Sequence, residues 1–335
     1  MQKIIKDIMQ SYRVYPTESE KITDRLFRIR DGRRTYALKQ SALTKENVAL
    51  WQHVYAIANE KNLSEIAPVY LTREGKLYLE TDESFYYLTP WIETPSTGNL
   101  KNNMENTMQN LGRLHVTTMK SHRISKDSLN DNFLTYQAFC KETPIELKRI
   151  VHQFESNRYM SPFELLVCTQ YRDVEYALKM NNDIIDEFLE PSDETLTWNH
   201  CLCHGNLTPD HTVGRYIINW ETVRYDHPAV DLANYFNHLT GNYDQPQELI
   251  TDAFKIYKNK NDLNRMELKL LSIYLLHPST YITTIQNYVN NTSGKSMELQ
   301  VRDIQQQFRK LLFAIKWNKF IIEEYETISF EDADY

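Results

Sequence analysis

Hydrophobic and polar residues alternate in several short runs near the start of the chain, a pattern typical of β-strands. Residues 26–30 and 34–39 are two such runs on either side of Asp31-Gly32, and they predict a β-hairpin. Residues 77–79 and 85–88 predict a second hairpin. Between the hairpins, hydrophobic residues recur at helical spacing and predict one helix: Val48, Trp51, Val54, Tyr55 and Ala58.

From about residue 100 onward, the period of the hydrophobic residues becomes helical. One helical stripe consists of Met104, Met108, Leu111, His115 and Met119. Further helices are predicted at 176–188, 245–258 and 265–277, with a last one carrying Val301, Ile304, Phe308, Leu311, Leu312 and Ile315. Short strands are predicted at 201–205 and 216–220. The acidic tail, 323–335, is expected to lack fixed structure.

These patterns predict an α+β protein with a small antiparallel sheet followed by a mostly helical region. At 335 residues, the chain exceeds the ~250–300 residues at which one hydrophobic core stops growing. We therefore expect two lobes, residues 1–92 with the sheet and one helix, and residues 93–335 with the remaining helices.

The composition excludes several classes of partner. A net charge of −7 offers no attraction to nucleic acid or to an anionic membrane. Residues 1–10 lack the apolar stretch of about 7–15 residues that a signal peptide needs, and no segment approaches about 20 apolar residues. We therefore expect synthesis in the cytoplasm without secretion.

The four cysteines are too few for a disulfide framework in a chain of this length. The segment His200-Cys201-Leu202-Cys203-His204 could suggest a zinc site. In a strand, however, the two thiols point to one face and the two imidazoles to the other, so one ion cannot collect all four ligands. We expect buried, inert cysteines here.

The candidate chemistry lies in three neighbouring motifs. They are His204-Gly205-Asn206-Leu207-Thr208-Pro209-Asp210-His211, then Ile218-Asn219-Trp220-Glu221, then Asp226-His227-Pro228-Ala229-Val230-Asp231-Leu232-Ala233. They resemble the catalytic motifs of the aminoglycoside phosphotransferase and choline kinase superfamily, which read H-G-D-x-x-x-x-N, I-D-W and D-P-x-x-D-L-A. The resemblance implies a bilobal, protein-kinase-like fold whose catalytic loop corresponds to residues 204–221.

The residues that carry chemistry in this superfamily are replaced. By the resemblance, the catalytic base falls on Asn206 and the two metal ligands fall on His211 and Asn219, while His204 is a structural brace of the loop. An amide cannot accept a proton from an alcohol, and such general base catalysis contributes about 10²–10⁴-fold to the rate. Mg²⁺ prefers carboxylate and water oxygens, so an imidazole and an amide make a poor site.

The resemblance also assigns a nucleotide cleft. Lys39 would contact the α and β phosphates, and its partner would be Glu46 or Glu60 at either end of the next helix, with Glu46 preferred. The hinge would contain Pro90, Trp91 and Ile92. No glycine precedes Gly32, so the glycine-rich loop that approaches phosphates is absent. We therefore expect no cofactor, and ATP with Mg²⁺ is disfavoured.

Within the superfamily, the chain most resembles spore-coat-associated kinase-like proteins of the CotS and YutH type. This resemblance rests on the Tyr-Ala-Leu-Lys strand ending at Lys39, the Thr-Pro-Trp-Ile-Glu segment at 89–93, and residues 274–281. This resemblance implies synthesis in the mother cell, location in the spore coat, and spore coat proteins as partners.

Three functions follow as hypotheses. The first is a pseudokinase that acts by protein binding or assembly in the endospore coat, and it is the one we favour. The second is an active small-molecule phosphotransferase with displaced carboxylates, using Asp210 as base and Glu221 with Asp226 as metal ligands. The third is a metal-free binder of a nucleotide or metabolite in the same cleft.

Overall fold

The computed structural model describes residues 2–81, 84–93, 100–190, 195–241 and 247–326. The strands are β1 (Glu18–Lys21), β2 (Leu26–Arg30), β3 (Thr35–Gln40), β4 (Leu79–Glu80), β5 (Phe85–Pro90), β6 (Lys120–Ser125), β7 (Thr195–Cys203), β8 (Thr212–Val213), β9 (Tyr216–Ile217) and β10 (Arg224–Asp226). The helices are α1 (Gln2–Ser11), α2 (Val48–Glu60), α3 (Leu100–Thr118), α4 (Lys126–Glu155), α5 (Pro162–Leu189), α6 (Ala229–Thr240), α7 (Gln247–Lys258), α8 (Arg265–Leu276), α9 (Ser279–Val289) and α10 (Met297–Ile321).

The chain folds into two compact units. Unit 1 contains residues 1–118 and 202–226, and unit 2 contains residues 119–201 and 227–335. The expected lobe boundary at residue 92 therefore does not coincide with the division between these units. Helix α3 and the 204–221 loop belong to the same unit as the N-terminal sheet, because the chain returns to unit 1 after strand β7.

The main sheet of unit 1 is antiparallel, with the strand order β1-β2-β3-β5-β4. Helix α1 covers one face of it, where Ile8 and Met9 pack in one hydrophobic cluster with Leu38 and Leu88. Leu38 and Leu88 are directly opposite in the β3–β5 pairing, so both side chains point to the same face. Because Leu38 faces α1, its neighbours in β3 point to the opposite face of the sheet.

Lys39 and Tyr87 lie on that other face. They are opposite each other in the β3–β5 register, and Lys39 is also opposite Leu26 of β2. Helix α2 packs here, with the rings of Trp51 and Tyr87 at 5.1 Å between centroids. The alternation of a strand thus places the Lys39 ammonium beside an aromatic, buried surface.

The first predicted hairpin is confirmed as β2 and β3. Its turn is held by Asp31, whose Oδ1 accepts hydrogen bonds from the backbone amides of Arg33 and Arg34 at 2.9 and 2.7 Å. Gly32 has a φ of +84°, which a glycine adopts without strain. The second hairpin is confirmed as β4 and β5, although β4 has only two residues and begins at Leu79.

Unit 2 is mostly helical. Helix α5 packs against α4, α8 and α10, and α10 also packs against α9. Strands β6 and β7 pair antiparallel, with Lys120 opposite His200. A cluster of aromatic rings joins α6, α7 and α10 and consists of Phe236, Phe254, Phe313 and Trp317. The predicted helices in this region are confirmed, and so is the α+β class.

Several elements differ from the sequence-based expectations. The helix expected at 176–188 begins 14 residues earlier, at Pro162, where Ser161 and Glu164 form a capping box. Helices α1, α4 and α9 were not expected. The strand expected at 216–220 ends at Ile217, because Asn219 adopts a left-handed conformation and a short 3₁₀ helix, Trp220–Thr222, follows.

Two further expectations concern the acidic tail at 323–335 and the absence of a membrane-spanning segment. Residues 323–326 form a short π-helical extension of α10, whereas 327–335 lie outside the described residues. None of the helices that the structure describes has both the length and the apolar character needed to cross a bilayer.

We expect Ser161→Ala to lower the free energy of unfolding by about 1 kcal/mol, because the serine Oγ accepts the Glu164 amide at the start of α5 and also lies 2.9 Å from the Tyr288 hydroxyl. Thermal or urea unfolding measures this change. Ser156→Ala is a matched control, since the Ser156 hydroxyl is exposed and only donates to the Gln153 carbonyl. Equal losses in both variants would contradict a specific capping role.

Candidate functional site

The 204–221 loop lies entirely within unit 1, between the end of β7 and the 3₁₀ helix Trp220–Thr222. Its middle forms the small hairpin of β8 and β9, which is docked by backbone hydrogen bonds. Ile217 donates to the Glu65 carbonyl at 2.7 Å, and Ala67 donates to the Ile217 carbonyl at 3.3 Å. The loop is therefore anchored to the segment that follows α2.

His204 is fully buried and joins the two ends of the loop. Its Nε2 donates to the Ile218 carbonyl at 2.9 Å, and its Nδ1 accepts the Asn206 amide at 3.3 Å. The ring also lies 5.0 Å from the rings of His211 and Trp220. These contacts fit the bracing role that the resemblance implies for this histidine.

Gly205 permits a close backbone approach. A Cβ at this position would lie 2.2 Å from the Thr222 carbonyl oxygen, and the φ of Gly205 is +81°. The Thr222 hydroxyl donates to the His204 carbonyl at 3.0 Å. A residue with a side chain could not occupy position 205 without separating the loop from the 3₁₀ helix.

The two positions that the resemblance assigns to metal ligands bind each other. The Nδ2 of Asn219 lies 2.7 Å from the Nε2 of His211, and the Nδ1 of His211 lies 2.9 Å from the Asn206 carbonyl. Because Nδ1 faces an acceptor, it carries the proton, and Nε2 accepts from the amide. Burial, with the nearby His204 and Lys39, lowers the pKa of His211 to about 4.

Lys39 binds the other side of the same amide. Its Nζ donates to the Oδ1 of Asn219 and forms an ion pair with the Oε1 of Glu221 at 2.9 Å. The side chains of Lys39 and Glu221 are only 21% and 9% exposed, so this pair is shielded from solvent. The ammonium that the resemblance assigns to the phosphates therefore already has two partners within the protein.

Glu221 connects the loop to the sheet. Its Oε1 also accepts the Tyr87 hydroxyl at 3.0 Å, and its Oε2 accepts the Ala42 amide at 2.9 Å. Burial and the Glu221 charge raise the pKa of Tyr87 well above its usual value. Both carboxylate oxygens are therefore already engaged by donors.

This arrangement does not fit Mg²⁺. The ion requires near-octahedral oxygen ligands at about 2.0–2.1 Å. Here the Asn219 oxygen accepts from an ammonium, its nitrogen donates to His211, and the His211 ring offers nitrogen only. The chain fills these positions with hydrogen bonds that join Lys39, Asn219 and His211.

Glu46 and the hinge residues lie outside this network. Glu46 is exposed in the turn before α2, so Glu221 takes the place that we expected Glu46 to have as the partner of Lys39. Strand β5 ends at Pro90, and the Trp91 amide donates to the Thr35 carbonyl at 3.0 Å. Pro90, Trp91 and Ile92 are all half-buried, and 94–99 lie outside the described residues.

Two backbone amides in the turn before β2 are hydrogen-bonded within the turn. The Oγ1 of Thr23 accepts the backbone amides of Arg25 and Leu26 at 3.3 and 3.1 Å. A glycine-rich loop offers its amides to phosphate oxygens, whereas this turn uses two of them internally.

The remaining candidate residues are dispersed. Asn206 is exposed, and Asp210 is exposed at the centre of a 3₁₀ turn. Asp226 accepts the Nε of Arg224 at 2.8 Å. The structure thus brings together Lys39, Asn219, His211 and Glu221.

Sequence reasoning missed the structural role of Glu221 and the participation of Tyr87 and Ala42. Tyr87 lies on the same face of the sheet as Lys39, and the alternation of residues along β5 was a signal for its participation. The Ala42 contact depends on a backbone amide, for which side-chain patterns provide no signal.

Residues 5–319 match the sequence model of a family described as "Spore coat putative kinase YutH". A comparison with curated proteins finds no match.

Solved structures with a similar fold are phosphotransferases. An aminoglycoside phosphotransferase from Alicyclobacillus acidocaldarius is 14% identical with a TM-score of 0.71, covering 95% of this chain and 96% of that one. Spectinomycin phosphotransferase APH(9)-Ia, in complex with ADP and spectinomycin, is 13% identical with a TM-score of 0.61, covering 95% and 98%. Choline kinase LicA from Streptococcus pneumoniae is 17% identical with a TM-score of 0.50, covering 93% and 99%. The chain therefore has the kinase-like phosphotransferase fold.

We expect the stability of the protein to fall between pH 6.5 and 4, in part because of His211. Its folded-state pKa of about 4 lies below the usual 6.5, so only the unfolded chain takes up the proton over this range. His211→Gln should reduce the loss of melting temperature between pH 7 and pH 5. His53→Gln, which changes an exposed histidine of the same unit, should leave the loss unchanged. A pH dependence identical in all three proteins would contradict this assignment.

We expect strong coupling between Lys39 and Glu221. Lys39→Met or Glu221→Gln alone should destabilise the protein by about 3 kcal/mol, because each leaves a shielded charge without its oppositely charged partner. The double variant should lose clearly less than the sum. The exposed pair Lys76 and Glu74, at 3.0 Å, is a matched control whose coupling should stay below about 1 kcal/mol. Additive losses at Lys39 and Glu221 would contradict the coupling.

Proposed function

Because the chain belongs to the spore coat YutH family, we propose that it is a non-catalytic, kinase-fold component of the bacterial spore coat that acts by binding coat proteins. The family match supports the location. The lack of catalysis is supported by one observation above all, the hydrogen-bonded chain from Lys39 through Asn219 to His211. These hydrogen bonds engage the side chains that would otherwise bind the phosphates and the metal.

The base position supports the same proposal. Asn206 presents an exposed amide, which has no basic lone pair for an acceptor alcohol. Its backbone, by contrast, is held on both sides, since its amide donates to His204 and its carbonyl accepts from His211. The loop retains a defined conformation without the carboxylate.

An active phosphotransferase with displaced carboxylates is less well supported. Glu221 already accepts hydrogen bonds at both oxygens, and Asp226 is paired with Arg224. Asp210 lies four residues beyond the base position, and near-attack geometry tolerates little displacement. A metal-free nucleotide or metabolite binder would have to use a Lys39 ammonium that already binds Glu221 and Asn219.

Thermal-shift titration tests the loss of Mg²⁺-nucleotide binding. ATP, ADP and AMP-PNP at millimolar concentration, with Mg²⁺ or Mn²⁺, should leave the melting temperature unchanged. A ligand present at 100 times its Kd would stabilise the protein by about 2.7 kcal/mol, which such a titration detects. A metal-dependent shift in the natural chain would overturn the proposal.

Two variants sharpen this test. His211→Asn with Asn219→Asp returns both metal positions to the superfamily pattern, and a metal-dependent shift that appears only in this variant would locate the defect at these residues. Asn206→Asp with Asn219→Asp should remain without phosphotransfer, since His211 still occupies the second metal position.

The coat role has a separate test. A fluorescent fusion of the full chain, expressed in a spore-forming host, should collect at the forespore surface. A signal that stays diffuse in the mother cell would contradict the coat assignment and leave the biochemical conclusion unaffected.

A further inference from the structure

Strand β7 presents a histidine on the face opposite its buried thiols. Cys201 is fully buried, and because adjacent residues of a strand point to opposite faces, His200 points away from it. The β6–β7 register places His200 opposite Lys120, and His122 opposite Trp198. His122 and His200 are therefore diagonal neighbours on one face of the strand pair.

The two imidazoles converge on each other. Their Nδ1 atoms are 3.1 Å apart, and the ring centroids are 4.9 Å apart with an interplanar angle of 71°. A Zn²⁺ ion holds imidazole nitrogens at about 2.0–2.1 Å, so two nitrogens on one ion lie about 2.9 Å apart at a right angle and about 3.4 Å apart at the tetrahedral angle. The observed separation falls within this interval.

The strand pair positions the backbone of both histidines and leaves the two rings accessible. His122 is exposed and His200 is half-buried, so an ion can reach the pair from solvent. Both residues lie within paired strands, so the backbone that positions them is held by the sheet.

We propose that His122 and His200 form a surface site for one divalent transition-metal ion, of the class of Zn²⁺, Ni²⁺ or Cu²⁺, with water as the remaining ligands. Two imidazole nitrogens suit these borderline ions and disfavour Mg²⁺ and Ca²⁺, which take oxygen ligands. The site lies in unit 2 and shares no residue with the 204–221 loop. Its existence is therefore independent of the proposed function.

A simple hydrogen bond between two neutral imidazoles would give the same distance, and this alternative sets the design of the test. A hydrogen bond needs one donor and one acceptor, and an asparagine amide can supply either. A metal site needs both imidazole nitrogens. His122→Asn therefore keeps hydrogen-bonding capacity and removes one ligand.

Isothermal titration calorimetry of the full chain with ZnCl₂ and NiCl₂ tests the proposal, with MgCl₂ as the reference ion. We expect one saturable site for Zn²⁺ and Ni²⁺ and none of comparable affinity for Mg²⁺. His122→Asn, His122→Ala and His200→Ala should each lower the metal affinity by about tenfold or more. Loss of a residue that only hydrogen-bonds to a metal ligand already lowers metal affinity by about 10- to 100-fold.

The controls decide between this site and other histidines. His152→Ala removes an exposed histidine of the same unit and should leave the metal affinity unchanged. Without added metal, all variants should have melting temperatures close to that of the natural chain. Absence of a saturable Zn²⁺ or Ni²⁺ site in the natural chain would overturn the proposal. Binding that survives both His122→Ala and His200→Ala would overturn it as well.

Discussion

The ion pair between Lys39 and Glu221 is the interaction on which the arrangement of unit 1 depends. It joins the central strand of the sheet to the 3₁₀ helix that ends the loop, and both side chains are largely shielded from water. A charge left unpaired in such a place is costly, so the two segments must remain together. Tyr87 and the Ala42 amide complete the shell of donors around the carboxylate.

The loop conformation follows from this constraint. Asn219 must turn its amide between Lys39 and His211, and it does so from a left-handed backbone conformation with a φ of 66°. Gly205 then allows the two ends of the loop to approach. A phosphotransferase would keep such a space for a metal and phosphates. Here the Lys39 ammonium, the Asn219 amide and the His211 ring bind one another in sequence, and Glu221 forms an ion pair with Lys39.

Prediction from the sequence succeeded where the signal was local. The hairpin around Asp31-Gly32 and the stripe of α3 were found because turn chemistry and helical spacing reside in neighbouring residues. Helix α5 was found only in part, although Ser161-Pro162 and Glu164 form a recognisable start signal. The strand expected at 216–220 was wrong after Ile217, because contacts from distant residues redirect the chain at Asn219.

The sequence alone determined the α+β class and the resemblance to kinase motifs, which assigns the reactive positions to Asn206, His211 and Asn219, because these depend on residue identity and local spacing. The tertiary structure decided which side chains bind each other. Glu221, and not Glu46, became the partner of Lys39, although 182 positions separate Glu221 from Lys39 along the chain. No periodic pattern encodes such a contact, since it arises only when the sheet and the loop pack together.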